Sequence, residues 1–149
     1  MNGQPSTGRQ SRDIRHAAAA LLITGIVNTI VYGVMIVRGY PLVPGHPEAF
    51  RDLQRATTWA DGYMTLMALA GAAGLLLDRS WGSPLGLVGA AALVYMGILD
   101  IAFLAQHGMY AHPDSVVLLM IVVDAWAIGV GAWMVFVLGK TVTRKERRS

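Results

Sequence analysis

Four long apolar stretches constrain the fold of this chain more than any other feature. They cover residues 17–37, 58–77, 83–105 and 116–138. The first contains no Lys, Arg, Asp or Glu, and Asp100 is the only such residue in the third. A helix of about 20 apolar residues is about 30 Å long, which is enough to cross the hydrocarbon core of a bilayer. The sequence therefore predicts an all-α membrane protein with four transmembrane helices in one up-down-up-down bundle.

Composition narrows the class of protein further. Only 14% of the residues are charged, against about 25% in a typical soluble domain. The chain has no cysteine, which excludes disulfides, thiolate catalysis and cysteine-ligated metals. The first apolar stretch has 21 residues, whereas the apolar core of a signal peptide has about 7–15, so we expect a retained helix. We expect residues 1–16 to form a disordered basic tail, 17–139 the membrane domain and 140–149 a basic C-terminal tail.

The basic residues indicate an orientation in the membrane. With four spans, both termini and the loop at 78–82 share one side, which carries nine of the 12 Lys and Arg residues. The positive-inside rule then predicts that both termini are cytoplasmic. At the ends of the spans the basic residues, which give the chain its net charge of +3, would contact anionic lipid headgroups. We therefore expect membrane lipid, and no nucleic acid, as a partner. The segments WADGYMTLMA and LVYMGILDIAFLAQHGMY resemble those of bacterial membrane proteins, which implies the bacterial inner membrane.

The loop between the first two spans contains a further helical signal. Pro47 followed by Glu48 is typical of a helix start, because proline fits the first turn and an acidic side chain favours the positive end of the helix dipole. We expect residues 48–57 to form a short interfacial helix, with Phe50 and Leu53 facing lipid.

Three aspartates within the predicted spans are the main candidates for a functional site. Asp61, Asp100 and Asp124, together with Asn28, fall in the outer half of the membrane under the predicted topology. No Lys or Arg occurs inside any span, and a carboxylate at that depth is costly unless it is paired, hydrated or protonated. We therefore expect an outward-opening acidic pocket in which at least one carboxyl group is protonated. Alternatively, each aspartate only accepts hydrogen bonds from neighbouring side chains and joins helices.

Other side chains are predicted to line this pocket. Tyr32, Tyr63 and Tyr95 can donate hydroxyl hydrogen bonds, and Trp126 follows Asp124 closely. His107 lies seven residues after Asp100 and would share its helix face. His46, His107 and His112, together with nearby acids, offer imidazole and carboxylate ligands for a metal such as Zn, Mn or Fe. Their spacing matches no metal-binding motif, so no metal is our first expectation and a metal at these loop residues is the alternative. All histidines lie outside the spans and no span contains a lysine, so we expect neither haem nor retinal, and no cofactor.

These residues are compatible with three functions. The first is binding or conversion of a lipophilic small molecule by isomerase- or cyclase-like chemistry, with Asp100 and Asp124 as acid and base and Tyr95 and Asn28 orienting the substrate. The second is a non-catalytic subunit or stabiliser of a larger membrane complex. The third is a proton-coupled carrier, which the weakly polar inner half of the spans disfavours. A homodimer or a larger complex is open in each case.

Overall fold

The computed structural model describes residues 7–146, with side chains for 12–143. It confirms an all-helical fold with four helices, α1 (Thr7–Arg38), α2 (Pro47–Leu76), α3 (Gly82–Gln106) and α4 (Ser115–Glu146). Three segments, Arg12–Arg38, Gly82–Gln106 and Ser115–Thr143, are long and apolar enough to cross a membrane. These three helices mark the chain as a membrane protein.

The first and last helices extend beyond the predicted spans. α1 begins at Thr7, so residues 7–16 are helical rather than part of a disordered tail. α4 continues to Glu146 and includes most of the predicted C-terminal tail. Residues 1–6 and 147–149 of the two predicted tails lie outside the described residues. Both extensions are rich in Arg, Lys, Gln and Glu, which favour helix and prolong one that an apolar span has already nucleated.

The second helix differs from its prediction at the N-terminal end. α2 starts with Pro47 and Glu48 in its first turn and runs without interruption to Leu76. Residues 48–57 therefore continue into the predicted second span instead of ending as a separate interfacial helix. The expectation that Phe50 faces lipid is wrong, because its side chain is only 1% exposed. α2 is not among the three apolar segments.

Consecutive helices pack against each other, and glycines set the closest approach. α1 packs on α2, α2 on α3 and α3 on α4, while within the described helices no Cα atom of α2 lies within 8 Å of a Cα atom of α4. A Cβ atom on Gly71 would collide with the backbone of Gly86, and one on Gly89 would lie 2.8 Å from the backbone nitrogen of Ala68. Hence α2 and α3 meet backbone to backbone, which fixes their antiparallel register.

Two separate groups of buried apolar side chains hold the helices together. We call the larger one the central cluster; all four helices contribute to it, and it includes Ala17, Leu21, Met64, Met96, Ala127 and Leu138. We call the other the loop cluster, because the loops at 39–46 and 107–114 cover it; its buried members are Val43, Phe50, Leu104, Met109 and Val117. α1 contributes no described residue to the loop cluster.

Candidate functional site

Polar side chains occupy the interval between the two clusters on α2. Phe50 belongs to the loop cluster and Met64 to the central cluster. Between them Gln54, Thr57 and Asp61 are all buried. Their spacing of three or four residues places them on the same helix face as the two apolar residues. The buried face of α2 therefore changes from apolar to polar and back.

The next two helices repeat this change with one carboxyl group each. On α3, Asp100 lies between Met96 of the central cluster and Leu104 of the loop cluster. On α4, Asp124 lies between Val117 of the loop cluster and Ala127 of the central cluster. Three helices thus bring buried or half-buried polar groups between two apolar clusters. We call this set the polar layer: Gln54, Thr57, Asp61, Asp100 and Asp124.

The helix register brings the three carboxyl groups to one level of the bundle. The Gly71–Gly86 contact places Asp61 of α2 opposite residue 96 of α3, about one turn from Asp100. A Cβ atom on Gly97 would lie 3.2 Å from the carbonyl oxygen of Asp124, so Asp124 lies within about one turn of Asp100 as well. At this separation, Asp100 and either of the other two carboxyl groups would repel each other if both were ionised.

Asp61 is tied to the first helix. The Tyr32 hydroxyl donates a hydrogen bond to Oδ2 of Asp61. One helical turn further from the loop at 39–46, Nδ2 of Asn28 donates a hydrogen bond to Oγ1 of Thr65 at 2.7 Å. Both bonds join α1 to α2. For Asp61, Asn28 and Tyr32 the geometry supports the helix-joining alternative.

Asp124 and Gln54 each carry a buried polar atom that lacks a partner. The Asp124 side chain is 3% exposed and Gln54 is 5% exposed. Oδ2 of Asp124 and Oε1 of Gln54 accept no hydrogen bond within the described part of the chain. Buried polar groups in folded proteins are nearly always hydrogen-bonded, so each exception calls for an explanation such as a function. Sequence reasoning missed Gln54 and Thr57, although they precede Asp61 at helical spacing.

Three of the predicted pocket residues point away from the polar layer. Tyr63, Tyr95 and Trp126 are exposed on the outside of the helices. Tyr63 and Trp126 follow Asp61 and Asp124 by two residues, which is roughly 200° around a helix. They face the surroundings of the bundle rather than its interior.

His107 lies at the loop end of the molecule, beyond the layer. It follows the last residue of α3, its Nδ1 is 3.0 Å from the carbonyl oxygen of Phe103, and its ring stacks on Phe103 with centroids 4.1 Å apart. A pocket of about 230 Å³ lies nearby, between the two loops, and His46 and His112 line it. Among the described residues, no group of three or more His, Cys, Asp or Glu could hold a metal ion.

The loop at 107–114 also approaches the layer. The Tyr110 hydroxyl donates to the carbonyl oxygen of Ile101 at 3.4 Å. Partial burial, with a smaller contribution from the carboxylate of Asp124, raises the pKa of Tyr110.

The chemistry available to the polar layer follows from its carboxyl groups. Carboxylates accept hydrogen bonds and protons, and a protonated carboxyl group donates one, so neighbouring Asp100 and Asp124 can act as an acid and a base. Comparisons of the chain with protein-family models, curated proteins and solved structures found no match.

Proposed function

We propose that this chain is a four-span membrane protein whose polar layer binds, and converts by acid–base chemistry, a lipophilic small molecule. The observation that carries the proposal is the unpartnered Oδ2 of Asp124, buried between two apolar clusters. An unsatisfied buried polar atom costs about 1–3 kcal/mol. A few polar groups within apolar walls are the usual design of a small-molecule site. A bound ligand supplies the missing partner and offsets this cost.

An entrance between α1 and α4 fits the packing. The two helices converge near Leu21 and Leu138, which both approach Gly86. At the level of the polar layer, α1 is bonded to α2 through Tyr32. The loop cluster lies between the layer and the loop end of the bundle, where the sequence predicts an outward opening. We therefore propose that a lipophilic ligand enters from the bilayer, beside the half-buried Asp100.

Within this site, the proposed acid and base are Asp100 and Asp124. Their mutual repulsion favours the state in which one is protonated and the other is not. The protonated group would donate to the ligand while the ionised one removes a proton, a division of roles that contributes about 10²–10⁴-fold to a rate. Asp61 is held by Tyr32 and would set the electrostatic environment of the pair.

The proposed topology has α2 as a fourth span and both termini in the cytoplasm of a bacterial cell. α2 contacts α1 through the Tyr32–Asp61 hydrogen bond and through Leu69, which packs against Gly25. It contacts α3 through Gly71 and Gly86. If α1 and α3 cross the membrane, α2 crosses with them. The distribution of Lys and Arg then favours cytoplasmic termini.

Native mass spectrometry of the protein released from mild detergent tests the proposal. The wild-type chain should carry a reproducible small-molecule adduct that Asp100→Asn and Asp124→Asn both lose. Asp52→Asn is the matched control, because Asp52 is an exposed aspartate of α2 outside the layer and its variant should keep the adduct. An adduct retained by both layer variants, or a wild-type chain without one, would contradict the proposal.

A second candidate is a subunit or stabiliser of a larger complex, or a homodimer. The observation in its favour is a row of exposed apolar side chains along one face of α1, including Ile23, Val27, Ile30, Val34 and Val37. Such a row suits a partner helix as well as lipid. In the same mass-spectrometric experiment, a second polypeptide bound stoichiometrically would favour this candidate.

A further inference from the structure

We infer that the ligand of the polar layer is an amphiphilic amine, bound as its ammonium ion. This inference rests on the proposed binding function and specifies the chemical class of the ligand. The two buried atoms without partners, Oδ2 of Asp124 and Oε1 of Gln54, are both hydrogen-bond acceptors. A ligand group that satisfies either of them must donate hydrogen bonds. An ammonium group has several N–H donors and no acceptor, so it fits such a site.

No side chain between residues 12 and 143 donates a hydrogen bond to either oxygen. The Tyr32 hydroxyl is used by Asp61. The Thr57 hydroxyl lies 3.4 Å from the carbonyl oxygen of Gln54 and is also within hydrogen-bonding reach of Asp61, and Asn28 donates to Thr65. These groups already have acceptors, so the unpartnered oxygens remain for an external donor.

The charge of the polar layer independently favours a cationic ligand. The layer contains three carboxyl groups, whereas residues 56–78 and 80–139 contain no Lys or Arg. A cation in a low-dielectric site is held far more strongly by a carboxylate than it would be in water. Charge-assisted hydrogen bonds are also roughly twice as strong as neutral ones. An ammonium ion is therefore favoured over a neutral donor such as an alcohol.

The two apolar clusters define the rest of the ligand. Phe50 and Leu104 lie on one side of the layer, and Met64 and Met96 lie on the other. A ligand seated in the layer therefore places its ammonium group among carboxyl groups and its hydrocarbon part against these side chains. A small hydrophilic amine would lose the second contact.

Two probes with the same hydrocarbon part separate these requirements. 4-Phenylbutylamine is an ammonium ion at neutral pH, and 4-phenylbutanol is its neutral counterpart. Binding to the purified full-length chain in mild detergent is measured by native mass spectrometry. We expect the amine to bind at least about tenfold more tightly than the alcohol, a difference on the scale of one charge-assisted hydrogen bond.

Variants show where the probe binds. Asp124→Asn and, independently, Gln54→Met should each weaken binding of the amine by roughly tenfold or more. Asp52→Asn should leave it unchanged, because that carboxylate is exposed outside the layer. The two layer variants remove different acceptors on different helices, so poor folding of one does not prevent the test with the other.

The outcomes separate this inference from the proposed function. If both probes bind equally and Asp124→Asn weakens both, the binding site stands and the preference for an ammonium ion is overturned. If the amine binds wild type, Asp124→Asn and Gln54→Met equally, it partitions into detergent or lipid, and the inference is again overturned. If neither probe binds the wild-type chain and it carries no adduct of its own, both proposals fail.

Discussion

The hydroxyl of Tyr32 on α1 donates a hydrogen bond to the carboxyl group of Asp61 on α2, at the level where three helices bring acidic side chains together. One helical turn further from the loop at 39–46, Asn28 and Thr65 form a second hydrogen bond between the same helices at 2.7 Å. From Ile26 to Arg38, no residue of α1 is buried and most of the apolar side chains are exposed. Its position at the level of the polar layer therefore depends on a small number of polar contacts.

Replacing Tyr32 by phenylalanine should destabilise the protein. Tyr32→Phe leaves the buried Asp61 without its donor, and losing the partner of a buried acceptor costs about 1–3 kcal/mol. Thermal unfolding in detergent, followed by circular dichroism, measures the change. Tyr95→Phe removes the same hydroxyl from an exposed site and should have little effect. Equal losses in the two variants would show that the Tyr32–Asp61 bond does not stabilise the fold.

Adding a single methyl group at Gly71 should separate α2 from α3. In Gly71→Ala the new Cβ collides with the backbone of Gly86, and overpacking of this kind costs about 1–3 kcal/mol. Gly62→Ala is the control on the same helix, because no heavy atom lies within 4 Å of its added Cβ. There the loss of backbone freedom in the unfolded chain should stabilise by about 0.5–1 kcal/mol. Unfolding experiments should therefore give shifts of opposite sign, and shifts of the same sign would contradict the close α2–α3 contact.

The helices α1, α3 and α4 are predictable because apolar stretches of spanning length have few alternatives in a membrane. The helix ends are less so, because a polar segment such as residues 7–16 has no apolar pattern and becomes helical as a continuation of α1. The contacts of Tyr32 and Asn28 depend on which helices pack together and in what register. The backbone contact of Gly71 with Gly86 is a tertiary feature that spacing along the chain does not reveal.

Part of the polar layer could have been found from the sequence. Once residues 48–57 are read as the start of α2, helical spacing puts Gln54 and Thr57 on the face of Asp61. The prediction of a separate interfacial helix at 48–57 hides this relationship, because it places Gln54 and Thr57 on a different helix from Asp61. The same arithmetic places Tyr63 and Trp126 on the side opposite their neighbouring aspartates. The missing partner of Asp124 Oδ2 is visible only in the packed structure.

Asp124→Asn should make the protein more stable while it removes ligand binding. The variant keeps a buried polar group without a partner, but it removes the cost of desolvating an ionised carboxylate and the repulsion of that carboxylate by Asp100. We expect a higher unfolding temperature for Asp124→Asn in ligand-free detergent. Asp52→Asn should leave it unchanged, because Asp52 is exposed. A clear loss of stability in Asp124→Asn would mean that the carboxyl group already bonds to a partner within the fold. It would then not be available to bind a ligand.

The absence of cysteine allows a direct test of the proposed fourth span. Ser80→Cys and His112→Cys place single thiols in the loops at the two ends of α3. If α2 crosses the membrane and the termini are cytoplasmic, a membrane-impermeant maleimide labels intact cells at position 112 only. Position 80 should then react only after the cells are permeabilised. If α2 stays on the outer side and only α1, α3 and α4 cross, the two loops exchange sides and position 80 is labelled first. An inverted four-span bundle gives the same pattern, and a third thiol, Leu42→Cys in the exposed part of the loop at 39–46, separates the two cases. If position 42 is also labelled in intact cells, α2 does not cross, and Asp61 is no longer one of three intramembrane carboxyl groups. If position 42 is protected, α2 crosses and only the predicted orientation is wrong.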